Sequence, residues 1–266
     1  MIIDGRKISY EIQKEVQQEL KGNNTSLGII YLGSNPVIDN FIKIKKKFGE
    51  EIGIPVVVYK FKSITEKDVK KIADQHPGII IQLPIPGNLS TSEILNFIPD
   101  NKDIDVLSKK SVALFENGKL SILPPVVGAI VEIFNRHNIK IKNKKVVIVG
   151  KGKLVGKPIS IWFQLQGINP IILEEGDDII KSIKIADIII SGVGEPNLIK
   201  PEMIKKGVIL IDAGTSESNG KIKGDADPAC AEKCSLFTPV PGGVGPIVVA
   251  TLFKNLVFYA KKIKTL

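Results

Sequence analysis

Cysteine is scarce in this 266-residue chain: only Cys230 and Cys234 occur, in ACAEKCS. A zinc site needs two further ligands, and His76 and His137 lie far away in sequence. The pair reads as ordinary reduced thiols, and no metal is expected. Aromatic residues make up only 6%, which argues against a base-stacking nucleic-acid surface. No uninterrupted apolar run is long enough to span a bilayer. The opening MIIDGRKISYEIQKEVQQEL is charged throughout and lacks the apolar core of a signal peptide. A soluble cytoplasmic protein without a membrane partner is expected. Acidic residues (28) are outnumbered by lysine and arginine (37), leaving a net charge of +9. These cations are spread along the chain, so nucleic acid is not expected as a partner, whereas small anionic ligands fit.

What the chain does contain is a rhythm. The apolar runs LGIIYLG, IPVVVYKF, GIIIQLP, KKVVIVG, NPIILEE, ADIIISG and GVILIDAG are short, continuous and rich in isoleucine and valine. Such runs suit strands buried on both faces of a parallel sheet. Helix-like segments separate them, among them Ile8–Leu20, Val37–Ile52, Thr65–Gln75, Ala129–His137 and Ile159–Gln166. The alternation predicts an α/β protein with right-handed crossovers. A domain boundary is expected near Leu120–Pro125, and an apolar helix over Gly245–Lys262.

VVIVGKGKLVGKPISIWFQLQG reads as strand, glycine loop, helix. Gly150, Gly152 and Gly156 are spaced one residue wider than the usual dinucleotide fingerprint. The physics survives the insertion: glycines allow a tight turn, and a helix N-terminus offers N–H groups to a pyrophosphate. The next strand ends in Glu174-Glu175-Gly176-Asp177-Asp178, where a carboxylate suits the ribose hydroxyls of NAD, or simply caps the following helix. Lys151 in the glycine turn suits the 2′-phosphate of NADP instead. Both cofactors stay open.

In PVIDNFIKIKKKFGEEIGI, a wheel of about 100° per residue gathers Val37, Ile38, Phe41, Ile44, Phe48 and Ile52 on one face. Lys43, Lys46 and Lys47 fall on the other side, whereas Lys45 sits inside the apolar stripe. A lysine held there either snorkels to water or loses hydration and becomes able to transfer protons near neutral pH. Gln82 interrupts an apolar strand near its C-terminal end, where open α/β sheets hold ligands. Asp103 and Asp105 either cap a turn or accept hydrogen bonds from a nitrogen-rich ring. TPVPGGVGP, Thr238–Pro246, combines stiff prolines with permissive glycines and suits a rigid wall with exposed backbone.

Taken together, the stretches FIKIKKK, IQLPIP, KDIDV, GKGKLVG and the intact TPVPGGVGP resemble, in order and over essentially the whole chain, the bifunctional methylenetetrahydrofolate dehydrogenase/methenyltetrahydrofolate cyclohydrolase family. The resemblance implies two α/β domains with folate between them. Residues 1–122, completed by the C-terminal helix 246–266, would form the folate-binding catalytic domain, and 123–245 a Rossmann-type nucleotide domain. It further implies tetrahydrofolate derivatives as substrates, NADP or NAD as cofactor, and a homodimer. By the same resemblance, Lys45, Gln82 and Asp105 are the catalytic residues. Phe41, Pro241, Gly242 and Gly243 would bind substrate, and Gly150, Lys151, Gly152, Gly156 and Thr215 the nucleotide.

The chain departs from the family pattern at several places. Phe41 stands where the family has tyrosine, and Val106 where it has glycine. Leu123–Gly128 reads LPPVVG instead of P-C-T-P-x-G. Glu174-Glu175-Gly176 replaces C-H-S, Lys151-Gly152 replaces arginine-serine, and Val248 replaces a threonine. A dehydrogenase-only enzyme or a non-catalytic relative is the alternative reading.

Overall fold

The computed structural model describes residues 1–20, 25–87, 90–218 and 221–264, without the side chains of 37, 218, 221, 263 and 264. The chain divides into two compact units. One, the N-terminal unit, combines Tyr10–Pro125 with Val249–Leu266; the other, the central unit, combines Met1–Ser9 with Val126–Val248.

In chain order the first elements are α1 (Gly5–Glu19), β1 (Leu27–Leu32), α2 (Pro36–Ile52), β2 (Val56–Phe61), α3 (Glu66–Ala73), β3 (Gly78–Ile81), α4 (Thr91–Leu95) and α5 (Lys109–Glu116). The strands pair in parallel in the order β2-β1-β3. Every residue of the central strand β1 is buried, as its continuous apolar run requires. Pro36 opens α2 at the first helical position, where its missing N–H costs nothing. A reciprocal capping box between Thr65 and Asp68 starts α3. Ile30, Leu32, Val69, Ile72, Ile79, Ile81, Ile94 and Ile98 share one core on one side of the sheet.

The remaining elements are α6 (Pro125–Arg136), β4 (Val146–Val149), α7 (Gly156–Leu165), β5 (Ile171–Leu173), α8 (Ile179–Ile183), β6 (Ile188–Ser191), β7 (Ile209–Asp212), β8 (Ser216–Ser218), β9 (Lys221–Lys223), β10 (Leu236–Phe237) and α9 (Val244–Lys264). Five strands form a parallel sheet in the order β10-β7-β6-β4-β5. From β4 the chain moves to one neighbour, β5, and then crosses back to the other, β6. That reversal is a topological switch point, and ligands of such sheets bind beyond the carboxyl ends of the strands there. The N-terminal segment extends the far edge, with the Ile3 N–H donating to the Phe237 carbonyl at 2.8 Å and the Phe237 N–H to the Met1 carbonyl at 2.9 Å.

All seven expected strands are present. The antiparallel β8–β9 pair was not expected, although Asn219-Gly220, which lies outside the described residues, is a strong hairpin signal in sequence. By length and composition α9 is able to cross a membrane, although Lys254 and Asn255 interrupt its apolar run. Leu252, Phe253, Leu256 and Val257 are buried instead, and Phe253 stacks 4.9 Å from Phe48. Cys230 and Cys234 are free and buried, and burial pushes their thiols up to about 12 and about 11.

Candidate active site

Helix α2 buries Ile38, Ile42, Phe48, Gly49 and Ile52. The seam 38–42–45–49–52 alternates steps of four and three, and Lys45 is its middle member. The expected apolar stripe is therefore corrected in its membership. Ile42 belongs to it, while Phe41 and Ile44 are 36% and 44% exposed, since they lie off the edge of this narrower seam. The side chain of Val37 lies outside the described residues. Lys43, Lys46 and Lys47 are exposed, as a solvated face should be.

The Lys45 ammonium donates to Gln82 Oε1 at 3.0 Å. Gln82 is 9% exposed and lies just past β3, and its Nε2 donates to the Leu83 carbonyl at 2.9 Å. That second bond fixes the amide so that its oxygen faces the lysine. Burial lowers the Lys45 pKa from the usual lysine value, with the Asp105 charge opposing the shift. Burial likewise pushes the Asp105 carboxyl up to about 6, against the pull of Lys45 and with the help of Asp103. Burial thus disfavours the charged form of both groups, lowering the lysine and raising the carboxyl.

Of the two aspartates, one takes the turn-capping role that the sequence left open. Asp103 is fully buried and accepts from the N–H groups of Leu107 at 3.1 Å and Ser108 at 2.9 Å, so it is the turn-holder. Asp105 keeps some exposure as a residue, while its carboxyl is desolvated and close enough for its charge to act on Lys45. Val106 follows at φ 58°, in the left-handed region where a β-branched residue is strained. The Asp103 bonds sit C-terminal to it, and on the other side Asn255 Nδ2 donates to the Ile104 carbonyl at 2.9 Å. The same nitrogen donates to the Leu123 carbonyl at 2.9 Å, tying in the start of the departed LPPVVG stretch. Asn255 was missed in the sequence, where its one signal is a polar residue within an apolar helix.

In the central unit, the glycine turn fits a dinucleotide by its own geometry. Gly150 has φ 92°, and a Cβ on Gly156 would stand 1.8 Å from the Gly150 carbonyl oxygen, so strand and helix close only around glycine. At Gly152 a Cβ would meet nothing nearer than 3.8 Å, leaving the backbone open to a close ligand. These are the three jobs of glycine in a pyrophosphate turn: tight turning, ligand approach and close helix packing. Val155, ahead of α7, supplies no side-chain cap.

Lys151 and Glu174, which pointed towards different cofactors, are partners: Lys151 Nζ lies 2.8 Å from Glu174 Oε1. Asp178 accepts from the Lys181 N–H and caps α8. Thr215 is exposed just after β7.

Around it lies a buried acid pair that the sequence did not disclose. Asp225 accepts from Ser191 Oγ at 2.6 Å and from the N–H groups of Val193, Gly194 and Glu195 at 2.7, 2.8 and 2.9 Å. Asp212 accepts from Ala226 and Gly214, and burial pushes its carboxyl up to about 6 with Asp225 adding to the shift. Thr238 Oγ1 accepts from the Asp212 N–H at 2.7 Å, linking the start of TPVPGGVGP to the end of β7. Pro241 and Gly242 line a cavity of about 290 Å³ with Ile2, Ile3, Asp4, Arg6 and Pro239. Gly243 is buried instead, donating to the Pro239 carbonyl at 2.7 Å.

The arrangement supplies a desolvated amine held by an amide, a carboxylate beside it, and a separate glycine cradle for a dinucleotide. Comparison with known proteins agrees. Residues 3–105 match the family model for the tetrahydrofolate dehydrogenase/cyclohydrolase catalytic domain, and residues 124–264 the model for its NAD(P)-binding domain. A protein of Nautilia profundicola named bifunctional protein FolD is 36% identical over 279 residues, covering 98% of this chain and 97% of its own. The crystal structure of the bifunctional dehydrogenase/cyclohydrolase of Campylobacter jejuni is similar, with TM-score 0.93, 31% identity and 99% of each chain covered. The Trypanosoma brucei enzyme, solved with NADP cofactor and inhibitor, has TM-score 0.92 at 26% identity, covering 100% of this chain and 99% of its own.

Proposed function

The chain belongs to the tetrahydrofolate dehydrogenase/cyclohydrolase family, and from that premise we propose how its residues divide the work. The protein is a bifunctional NAD(P)-dependent enzyme: it oxidises 5,10-methylenetetrahydrofolate to the methenyl form and hydrolyses that to 10-formyltetrahydrofolate. Both family models match, one after the other, which leaves the single-activity and non-catalytic alternatives without support. NAD(P), when bound, supplies the hydride acceptor, and Gly150, Lys151, Gly152, Gly156 and Thr215 are assigned to holding it.

The observation that carries the assignment is the Lys45–Gln82 hydrogen bond with Asp105 beside it. In our reading, the neutral Lys45 amine takes a proton from the water that attacks the methenyl carbon. Gln82 holds the amine in place, and Asp105 accepts from N–H groups of the pterin ring. Phe41, with its ring exposed on the same helix, supplies a stacking face for the folate without the hydroxyl of the family tyrosine. Pro241 and Gly242 line the substrate path, with Gly243 as the turn beneath them. We assign the folate work to 1–122 and 246–266, and nucleotide binding to 123–245. The matches ending at 105 and starting at 124 support that boundary, while residues 1–9 pack with the central unit. A cytoplasmic homodimer joined through the nucleotide domain completes the proposal, on the family resemblance.

The test is a purified-protein assay with 5,10-methylenetetrahydrofolate and each nucleotide, followed by methenyltetrahydrofolate alone. Nucleotide reduction and methenyl loss faster than in buffer are expected; silence in both from folded protein rejects the proposal.

A pH dependence follows from Asp105. Its pKa is raised, so the carboxylate that accepts from the ring exists above about 6 and is lost as pH falls through that value. A hydrogen bond to a charged group contributes about 1.5–3 kcal/mol, so KM for the folate should rise roughly tenfold or more below that pH. The measurement is KM against pH, with Asp105→Asn expected to lose the step. A step that persists in that variant assigns it elsewhere.

A further inference from the structure

Glu174 follows β5 directly and Lys151 follows Gly150 after β4, and these strands are neighbours in register, Val149 beside Leu173. The two side chains therefore emerge together at the carboxyl edge of the sheet. They form an ion pair at 2.8 Å, with 59% of the lysine and 56% of the glutamate side chain exposed to solvent. The Glu174 N–H donates to Asp177 Oδ2 at 2.7 Å, which brings a second carboxylate to the same corner. Residues 174–178 carry four carboxylates, against Lys151 and Lys153 in the glycine turn. In doubly wound sheets the acidic residue after the strand next to the glycine turn receives the ribose hydroxyls of the adenosine half.

We propose that this enzyme selects NAD over NADP, with Glu174 as the residue that decides. The inference rests on the NAD(P)-binding reading of the glycine turn. A ribose hydroxyl has a proton to donate, and Glu174 offers a free carboxylate oxygen to take it. A 2′-phosphate has only acceptors and carries charge of the same sign as Glu174 and Asp177. Lys151 does not reverse this preference. The ion pair is exposed and gives way easily, yet a phosphate that captured the lysine would still stand against the carboxylate it had left behind. Rejection thus comes from the net charge of the corner, not from the strength of the pair.

The experiment is calorimetric titration of the intact protein with NAD and with NADP, without folate, on the wild type, Glu174→Gln and Glu174→Ala. Wild type is expected to bind NAD at least tenfold more tightly. Either substitution should strengthen NADP binding at least fivefold and weaken NAD binding, bringing the two affinities together or inverting them. Both variants change an exposed side chain, and equal unfolding midpoints would show that the fold is kept. NADP binding as tightly as NAD in the wild type, or a ratio unmoved by both substitutions, overturns the proposal while leaving the nucleotide site intact. Binding of neither nucleotide rejects the nucleotide reading itself, and the proposal with it.

Discussion

Replacing Lys45 by alanine is expected to slow methenyltetrahydrofolate hydrolysis by roughly 10²–10⁴-fold, the range removed with a positioned proton-transfer group. The fold should survive. The substitution takes a desolvated polar group off the seam and removes some stem packing, opposing effects that leave stability within about 1 kcal/mol. Lys45→Met separates the two contributions, since it keeps an apolar stem of similar length and lacks the amine. It should be as inactive as the alanine variant and at least as stable. The measurements are methenyl loss above the buffer rate and the thermal unfolding midpoint. Unchanged hydrolysis in either folded variant would remove Lys45 from the chemistry.

Asp225→Ala is expected to be the costliest single change in the central unit. Its carboxylate collects four donors, from Ser191 Oγ and three successive backbone N–H groups. The residue is fully buried. Its surroundings are so tight that a Cβ on Gly214 would stand 2.1 Å from it. Each orphaned buried donor costs about 1–3 kcal/mol, and water entering the vacated space recovers part of the sum. A loss of roughly 3–5 kcal/mol is expected, the scale on which breaking a buried charged network registers. Asp225→Asn should fall between, because one oxygen is kept while the amide nitrogen is set against N–H donors. Urea unfolding reads the loss directly, and a change below about 1 kcal/mol would show that the network adds little. Dinucleotide affinity should fall with it, since residues 193–195 form the turn after β6 that the carboxylate holds.

The strands were legible because burial on both faces leaves an unbroken isoleucine and valine run, a pattern that survives in any one sequence. Lys45 was legible for a related reason: helical periodicity places a charged residue among apolar ones even when the stripe is drawn a little off. Its neighbours were less legible, since a wheel cannot tell Ile42 from Ile44 without knowing which way the helix faces its sheet. The Asp225 network left no local trace. Three of its four partners are backbone groups some thirty residues away, and backbone has no letter in the sequence. Lys151 and Glu174 were each singled out, but as rivals. Their contact depends on β4 and β5 being neighbours in register, which residue spacing does not state.

Neither unit is one continuous stretch of chain. The N-terminal unit needs Val249–Leu266, and the central unit needs Met1–Ser9. On a ribosome this inverts the order of completion. Domains generally fold from the N-terminus as they emerge. Here the three strands of the first sheet emerge early, yet Phe48 of α2 and the Ile104 carbonyl wait for Phe253 and Asn255 until α9 is made. The central unit has all of its chain by residue 248, so the unit whose strands are made first is the one whose chain is completed later. In the interval the loop that carries Asp105 lacks the Asn255 bond to the Ile104 carbonyl. A nascent chain therefore holds every residue of its nucleotide cradle before it holds the asparagine that ties down the loop carrying Asp105.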